Sequence, residues 1–152
     1  ASAGLSYIRS RADKFGLNPS FYEELEIHIH VPEGAVPKDG PSAGITILIS
    51  LLSALTKTSV RANLALTGEV TLSGDVLAIG GLNEKLLAAK RSGIRDIVIP
   101  LKNKKDIPEL PKELTQDLNL IPVRKVDEAI KVAFDGNEKF GKAKSRGKRK
   151  AK

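Results

Sequence analysis

The chain contains no cysteine, no methionine and no tryptophan, and only two histidines and two tyrosines among its 152 residues. Without cysteine there is no disulfide framework and no thiolate, so neither a cysteine nucleophile nor a zinc site of the Cys type can be built here. No apolar run reaches the roughly 20 residues that span a bilayer, so an integral membrane helix is excluded and no membrane insertion is expected. The N-terminus lacks a basic stretch followed by an apolar one, so a signal peptide is not expected. A chain that starts at Ala1 and carries no methionine reads as processed, or as part of a longer protein.

An apolar fraction of 41% is enough for a folded core. The 25 basic against 18 acidic side chains suggest nucleic acid at first sight, but the excess is local. Residues 139–152 carry eight lysines and arginines and no acid, leaving 17 bases against 18 acids in residues 1–138. The expected organisation is therefore one domain over residues 1–138 and a basic, disordered tail over 139–152. Such a tail offers weak, charge-driven contact with nucleic acid.

Apolar residues at Leu5, Ile8 and Ala12 predict an amphipathic helix from Gly4 to Phe15. Leu25, Ile27, Ile29 and Val31 alternate with Glu26, His28 and His30, the period of a half-buried strand. Ala43 to Leu55 is almost wholly apolar and is expected to be a buried helix starting at or just after Ser42. Between Leu64 and Ile79 the pattern is that of a hairpin or two short strands around Ser73-Gly74-Asp75. A helix from Leu82 to Arg91, strands at Ile97–Ile99 and Leu120–Val123, and a last helix from Asp127 to Phe134 follow. The polar stretch from Lys102 to Asp117 reads as loop and short helices. This mixture predicts an α+β domain, a compact two-layer arrangement of short mixed strands against helices.

Candidate chemistry is sparse. His28 and His30, two apart on an expected strand, share a face with Glu26, but a pair of histidines is a poor metal site and ordinary surface residues are the preferred reading. No metal site is expected. In Pro37-Lys38-Asp39-Gly40-Pro41-Ser42-Ala43-Gly44 a serine stands where a stiff, glycine-rich turn enters the buried helix. Ser42 could be a helix N-cap, or a nucleophile beside backbone N–H groups able to hold an oxyanion. With histidine scarce, lysine is a serious candidate for its base. Lys85 sits in the first turn of its helix, where the macrodipole and the neighbouring Leu82, Leu86 and Leu87 would favour the neutral amine. It could equally be an ordinary polar position on an amphipathic helix. No Walker phosphate loop is present.

The runs His28-Ile29-His30-Val31-Pro32-Glu33-Gly34-Ala35 and Pro37 to Gly44 resemble the nucleophile region of the Lon family of ATP-dependent serine proteases. Thr67-Gly68-Glu69-Val70-Thr71-Leu72 and Ile79-Gly80-Gly81-Leu82, followed by Glu84-Lys85-Leu86-Leu87-Ala88-Ala89, resemble its lysine region. The resemblance runs to about Gly136. It implies a Lon-type proteolytic domain, N-terminally truncated, in which Ser42 is the nucleophile and Lys85 the general base of a dyad. Thr67 matches a threonine that helps orient the lysine, and His28, His30, Glu33 and Asp39 match supporting positions. Asn83 departs from the lysine common in the family. The resemblance also implies unfolded or damaged proteins as substrates, a hexameric ring, a cytoplasmic location, and a AAA+ ATPase module, absent here, that uses ATP and Mg. No cofactor is expected in the domain itself.

Overall fold

A computed structural model of the chain describes residues 2–30, 41–137 and 140. The first helix, α1 (Ser2–Arg9), is shorter than its apolar spacing predicts. At Arg11 the backbone leaves helical angles, and a 3-10 turn over Ala12–Phe15 follows, closed by Gly16 in the left-handed conformation. One short turn, α2 (Phe21–Glu24), precedes the segment expected to be a strand. Residues 25–30 pair with no strand among the described residues. Ile27 packs on the core, but Leu25 and Ile29 are exposed. The alternation is real, yet a strand exists only where a neighbour takes its backbone groups. Val31, Glu33, Asp39 and the rest of residues 31–40 lie outside the described residues, as does the tail apart from Phe140.

The long apolar run forms α3 (Gly44–Thr56), with Ile45, Leu48, Ile49 and Leu52 fully buried. It ends at Lys57 in the left-handed region. The stretch after it divides between two sheets. β1 (Leu64–Leu66) joins a parallel sheet of order β1-β4-β5 with β4 (Asp96–Pro100) and β5 (Asn119–Val123). β2 (Glu69–Val70) and β3 (Val76–Leu77) form the expected hairpin. The crossover from the hairpin back to β4 is α4 (Leu82–Arg91). That from β4 to β5 is a 3-10 stretch, Leu101–Glu109, and α5 (Lys112–Thr115), where loop and short helices are expected. α6 (Val126–Ala133) closes the domain.

The chain is thus α+β, as its patterning predicts, but helices cover both faces of the parallel sheet instead of forming the two layers expected. The parallel sheet is packed on both faces, which explains why β4 reads as an unbroken apolar run. Val98 faces a core shared by α1, α3 and α6, whereas Ile97 and Ile99 face Leu82, Leu86, Ala89 of α4 and Leu114. Gly4 lets α1 lie against α3, since a Cβ there would meet Leu48 Cβ at 3.2 Å. No helix among the described residues is long and apolar enough to cross a membrane.

Candidate active site

Ser42 does not cap its helix. The N-cap position of α3 is Ala43, and no side chain caps it. The serine is fixed instead by its backbone. Its carbonyl accepts the Gly68 N–H at 2.8 Å and the Thr67 hydroxyl at 3.3 Å. The first turn of α3 is tied to the same segment, with the Ile45 N–H donating to the Gly68 carbonyl at 3.0 Å and the Thr46 hydroxyl to the Leu66 carbonyl at 2.8 Å. Gly44 makes that approach feasible. A Cβ on it would stand 3.0 Å from the Val70 nitrogen and 3.3 Å from the Gly68 oxygen. The glycine beside the serine therefore makes room for the β1–β2 connection.

Lys85 arrives from the other core. Gly81, left-handed at φ 65°, turns the chain into α4 and leaves Lys85 in its first turn. Leu82 and Leu86 are buried on the inner face, but Leu87, expected to crowd the amine, is exposed. The Lys85 Nζ donates to Ser42 Oγ at 3.1 Å. Among the described residues no carboxylate forms an ion pair with it. The amine therefore has a hydroxyl, and no counter-charge, as its partner. That arrangement suits a proton acceptor better than a structural salt bridge.

The pair lies where two clefts meet. One, of about 560 Å³, is walled by Pro41, Glu69, Ala78–Gly81 and Glu84. The other, about 380 Å³, is lined by Ala43, Thr46, Leu66, Thr67, Ala89 and Ile94 among others. Ser42, Lys85 and Ala88 border both.

Thr67 is buried beside the pair, but its hydroxyl binds the Ser42 carbonyl and makes no hydrogen bond to Lys85. In this structure it positions the serine. His28 and His30 line a third cleft with Thr46, Ile47, Ser50 and Leu51, which shares Thr46 with the second but is bordered by neither Ser42 nor Lys85. Among the described residues no group of three histidine or carboxylate side chains could hold a metal. Glu33 and Asp39 lie outside the described residues. The carboxylates on the cleft wall, Glu69 and Glu84, and the buried Asn103 behind it are not singled out by sequence reasoning. The glutamates stand inside the recognised motifs and could have been flagged there; Asn103 sits in a polar stretch without a pattern.

A family model described as the Lon protease (S16) C-terminal proteolytic domain matches residues 1–136. The Lon protease of Chloroflexus aggregans is 59% identical over 134 residues, 88% of this chain and 16% of that protein. That of Vibrio parahaemolyticus is 55% identical over 133 residues, 88% of this chain and 17% of the relative. That of Escherichia coli K12 is 53% identical over 139 residues, 91% and 18% respectively. The chain thus spans about a sixth of the length of the curated relatives it matches.

Proposed function

The chain belongs to the Lon protease (S16) family of C-terminal proteolytic domains, and from that premise we propose that it is a serine endopeptidase working through Ser42 and Lys85. The observation that carries the reading is the 3.1 Å contact between the lysine amine and the serine hydroxyl at the junction of two clefts. The neutral amine of Lys85 takes the proton as Ser42 Oγ attacks a peptide carbonyl. Nζ–H then gives a proton to the departing amine, leaving an ester on Ser42. Water, deprotonated by the same amine, hydrolyses that ester and restores the serine.

The tetrahedral intermediate needs donors for its oxyanion. The Gly44 and Ile45 amides are committed to the Pro41 and Gly68 carbonyls. The amides of Ser42 and Ala43, which make no hydrogen bond among the described residues, are the groups we assign to the oxyanion. Thr67 supports the step by fixing the Ser42 carbonyl rather than by touching the base. These steps use the two side chains, main-chain amides and water.

We extend the reading to the longer protein that the relatives represent. There a AAA+ module consuming ATP with Mg unfolds damaged proteins and feeds them to these sites in a cytoplasmic hexameric ring.

The test is mass spectrometry after reaction with a serine-directed phosphonylating reagent. The label is expected on Ser42 and is expected to vanish in Lys85→Ala, while Ser42→Ala and Lys85→Ala each lose peptide cleavage by at least about a thousandfold and keep the wild-type circular dichroism. Cleavage that survives either substitution would refute the dyad. A rate that does not rise with pH from acid to alkaline solution would also refute it, because the mechanism begins from the unprotonated amine.

A further inference from the structure

Asn103 is one of the few buried polar side chains, 2% exposed, and lies behind the wall of the larger cleft. Its Oδ1 accepts the Ile79 N–H at 3.0 Å, and its Nδ2 donates to the Ile79 carbonyl at 2.9 Å. The second Nδ2 hydrogen goes to Asp106 Oδ2 at 2.7 Å. Every hydrogen-bonding group of the carboxamide is thereby directed. Two of its three bonds grip both backbone groups of one residue, as a neighbouring strand would.

The hairpin register explains why such a grip is required. Glu69 stands opposite Leu77 and Val70 opposite Val76, so Thr67 would fall opposite Ile79 if the ladder continued. The Thr67 N–H is instead spent on the Val98 carbonyl at 3.0 Å, extending the parallel sheet. β2 has left, and Ile79 is without a strand partner. In extended chain its N–H and C=O face the same edge as those of Leu77. Asn103 fills that edge.

Ala78 then presents its groups to the opposite edge, the side on which the Val76 N–H already bonds the Arg124 carbonyl at 2.9 Å. Ala78 and Gly80 are exposed, line the cleft beside Ser42 and Lys85, and make no hydrogen bond among the described residues. An extended chain with one edge satisfied and the other open to a cleft is a template for strand addition.

We propose that Asn103 is a positioning residue that completes the inner edge of Ile79 and so holds Ala78–Gly80 open for the main chain of the peptide substrate. The proposal rests on the serine-peptidase reading of the same cleft. Substrate recognition on this side of Ser42 is then through backbone, which accounts for a wall of Ala78, Gly80 and Gly81 with little side chain to read.

The test compares two reagents that react with the same serine in the full chain: a small alkyl fluorophosphonate, and a tripeptidyl phosphonate able to lie along the cleft. Wild type must be labelled on Ser42 by the small reagent. If it is not, the peptidase reading fails and Asn103 is not the cause. In Asn103→Ala the peptidyl reagent is expected to slow about tenfold more than the small one, the factor for losing roughly one to two hydrogen bonds. The loss in peptide cleavage should appear mainly in KM. An equal fall with both reagents would make Asn103 merely structural and overturn the proposal, as would no fall with the peptidyl one. Asn103→Asp, which keeps the acceptor to Ile79 and loses the donor, covers the case in which the alanine variant does not fold. Wild type supplies an independent check through substrates N-methylated at successive main-chain amides. At least one methyl is expected to cost about tenfold in kcat/KM, and tolerance at every position would also overturn the proposal.

Discussion

A methyl group added at Gly44 would press on the Val70 nitrogen at 3.0 Å and the Gly68 oxygen at 3.3 Å, both backbone atoms that cannot rotate aside. Two effects oppose each other. Alanine in a helix is favoured over glycine by up to about 1 kcal/mol, while overpacking costs about 1–3 kcal/mol. The overpacking dominates only slightly in stability, but it acts on the contact that sets Ser42. Gly44→Ala is therefore expected to shift the urea midpoint little and to lower kcat/KM about tenfold, since small displacements of a reacting group are costly. Unchanged cleavage would show that the serine does not depend on this close approach. At the residue scale the two side chains of the proposed dyad were legible, because Ser42 and Lys85 stand within long motifs with recognisable glycines and prolines. Asn103 was not, because a carboxamide in Lys102-Asn103-Lys104-Lys105-Asp106 looks like any solvated polar residue. Only the missing partner of Ile79, known from the hairpin register, gives it meaning.

Between elements, α1 and α6 are joined by a polar contact inside an apolar neighbourhood. The Tyr7 hydroxyl donates to Asp127 Oδ1 at 2.9 Å, and Lys14 Nζ binds the other oxygen at 2.9 Å. The Tyr7 ring also lies against Gly74, where a Cβ would meet it at 2.4 Å. Burial first, and then the hydrogen bond and charge of Asp127, push the Tyr7 phenol up from 10.0 to about 12. A raised value in the folded chain means that this stabilisation is intact below the unfolded value and is lost as pH rises through the folded one. The melting temperature of wild type relative to Tyr7→Phe is thus expected to fall between about pH 10 and about pH 12. Thermal melts across that range check it, and a constant difference would show that the phenol does not ionise with unfolding. Burial opposes ionisation of Asp127, but its bonds to Lys14 and Tyr7 outweigh it and hold the carboxyl below its usual range. Its contribution is accordingly lost in acid, as pH falls through that lowered value. At this scale helices were the most legible elements. The periods of α3, α4 and α6 are local properties, whereas residues 25–30 carry a strand's alternation without a described neighbour to bond, and β1 pairs with a strand some 30 residues on.

Across the whole molecule the proposed dyad spans two cores. Ser42 is carried by the one that α3 shares with α1 and α6, and Lys85 by the one beneath α4 on the other face of the sheet. No single element holds both, so their meeting depends on the β1–β4–β5 sheet and not on the charge distribution around it. The surplus of basic side chains is concentrated elsewhere, with seven lysines and arginines after Phe140. Phe140 itself stacks on Phe134 with ring centroids 4.0 Å apart, so a chain ending there keeps that contact with the core. That truncation is expected to leave kcat/KM for a short peptide within about twofold, a shift of less than half a kcal/mol, because the described residues that line the clefts fall within 41–97. The same truncation should abolish any retention on duplex DNA, which in the full chain would weaken steeply with salt, at a slope of at most roughly six in log–log form for seven phosphate contacts. Peptide cleavage and DNA retention measured on both chains separate the two roles. A large loss of cleavage on truncation would make the basic segment part of the catalytic unit, and DNA retention that persists without it would move the nucleic-acid contact onto the domain.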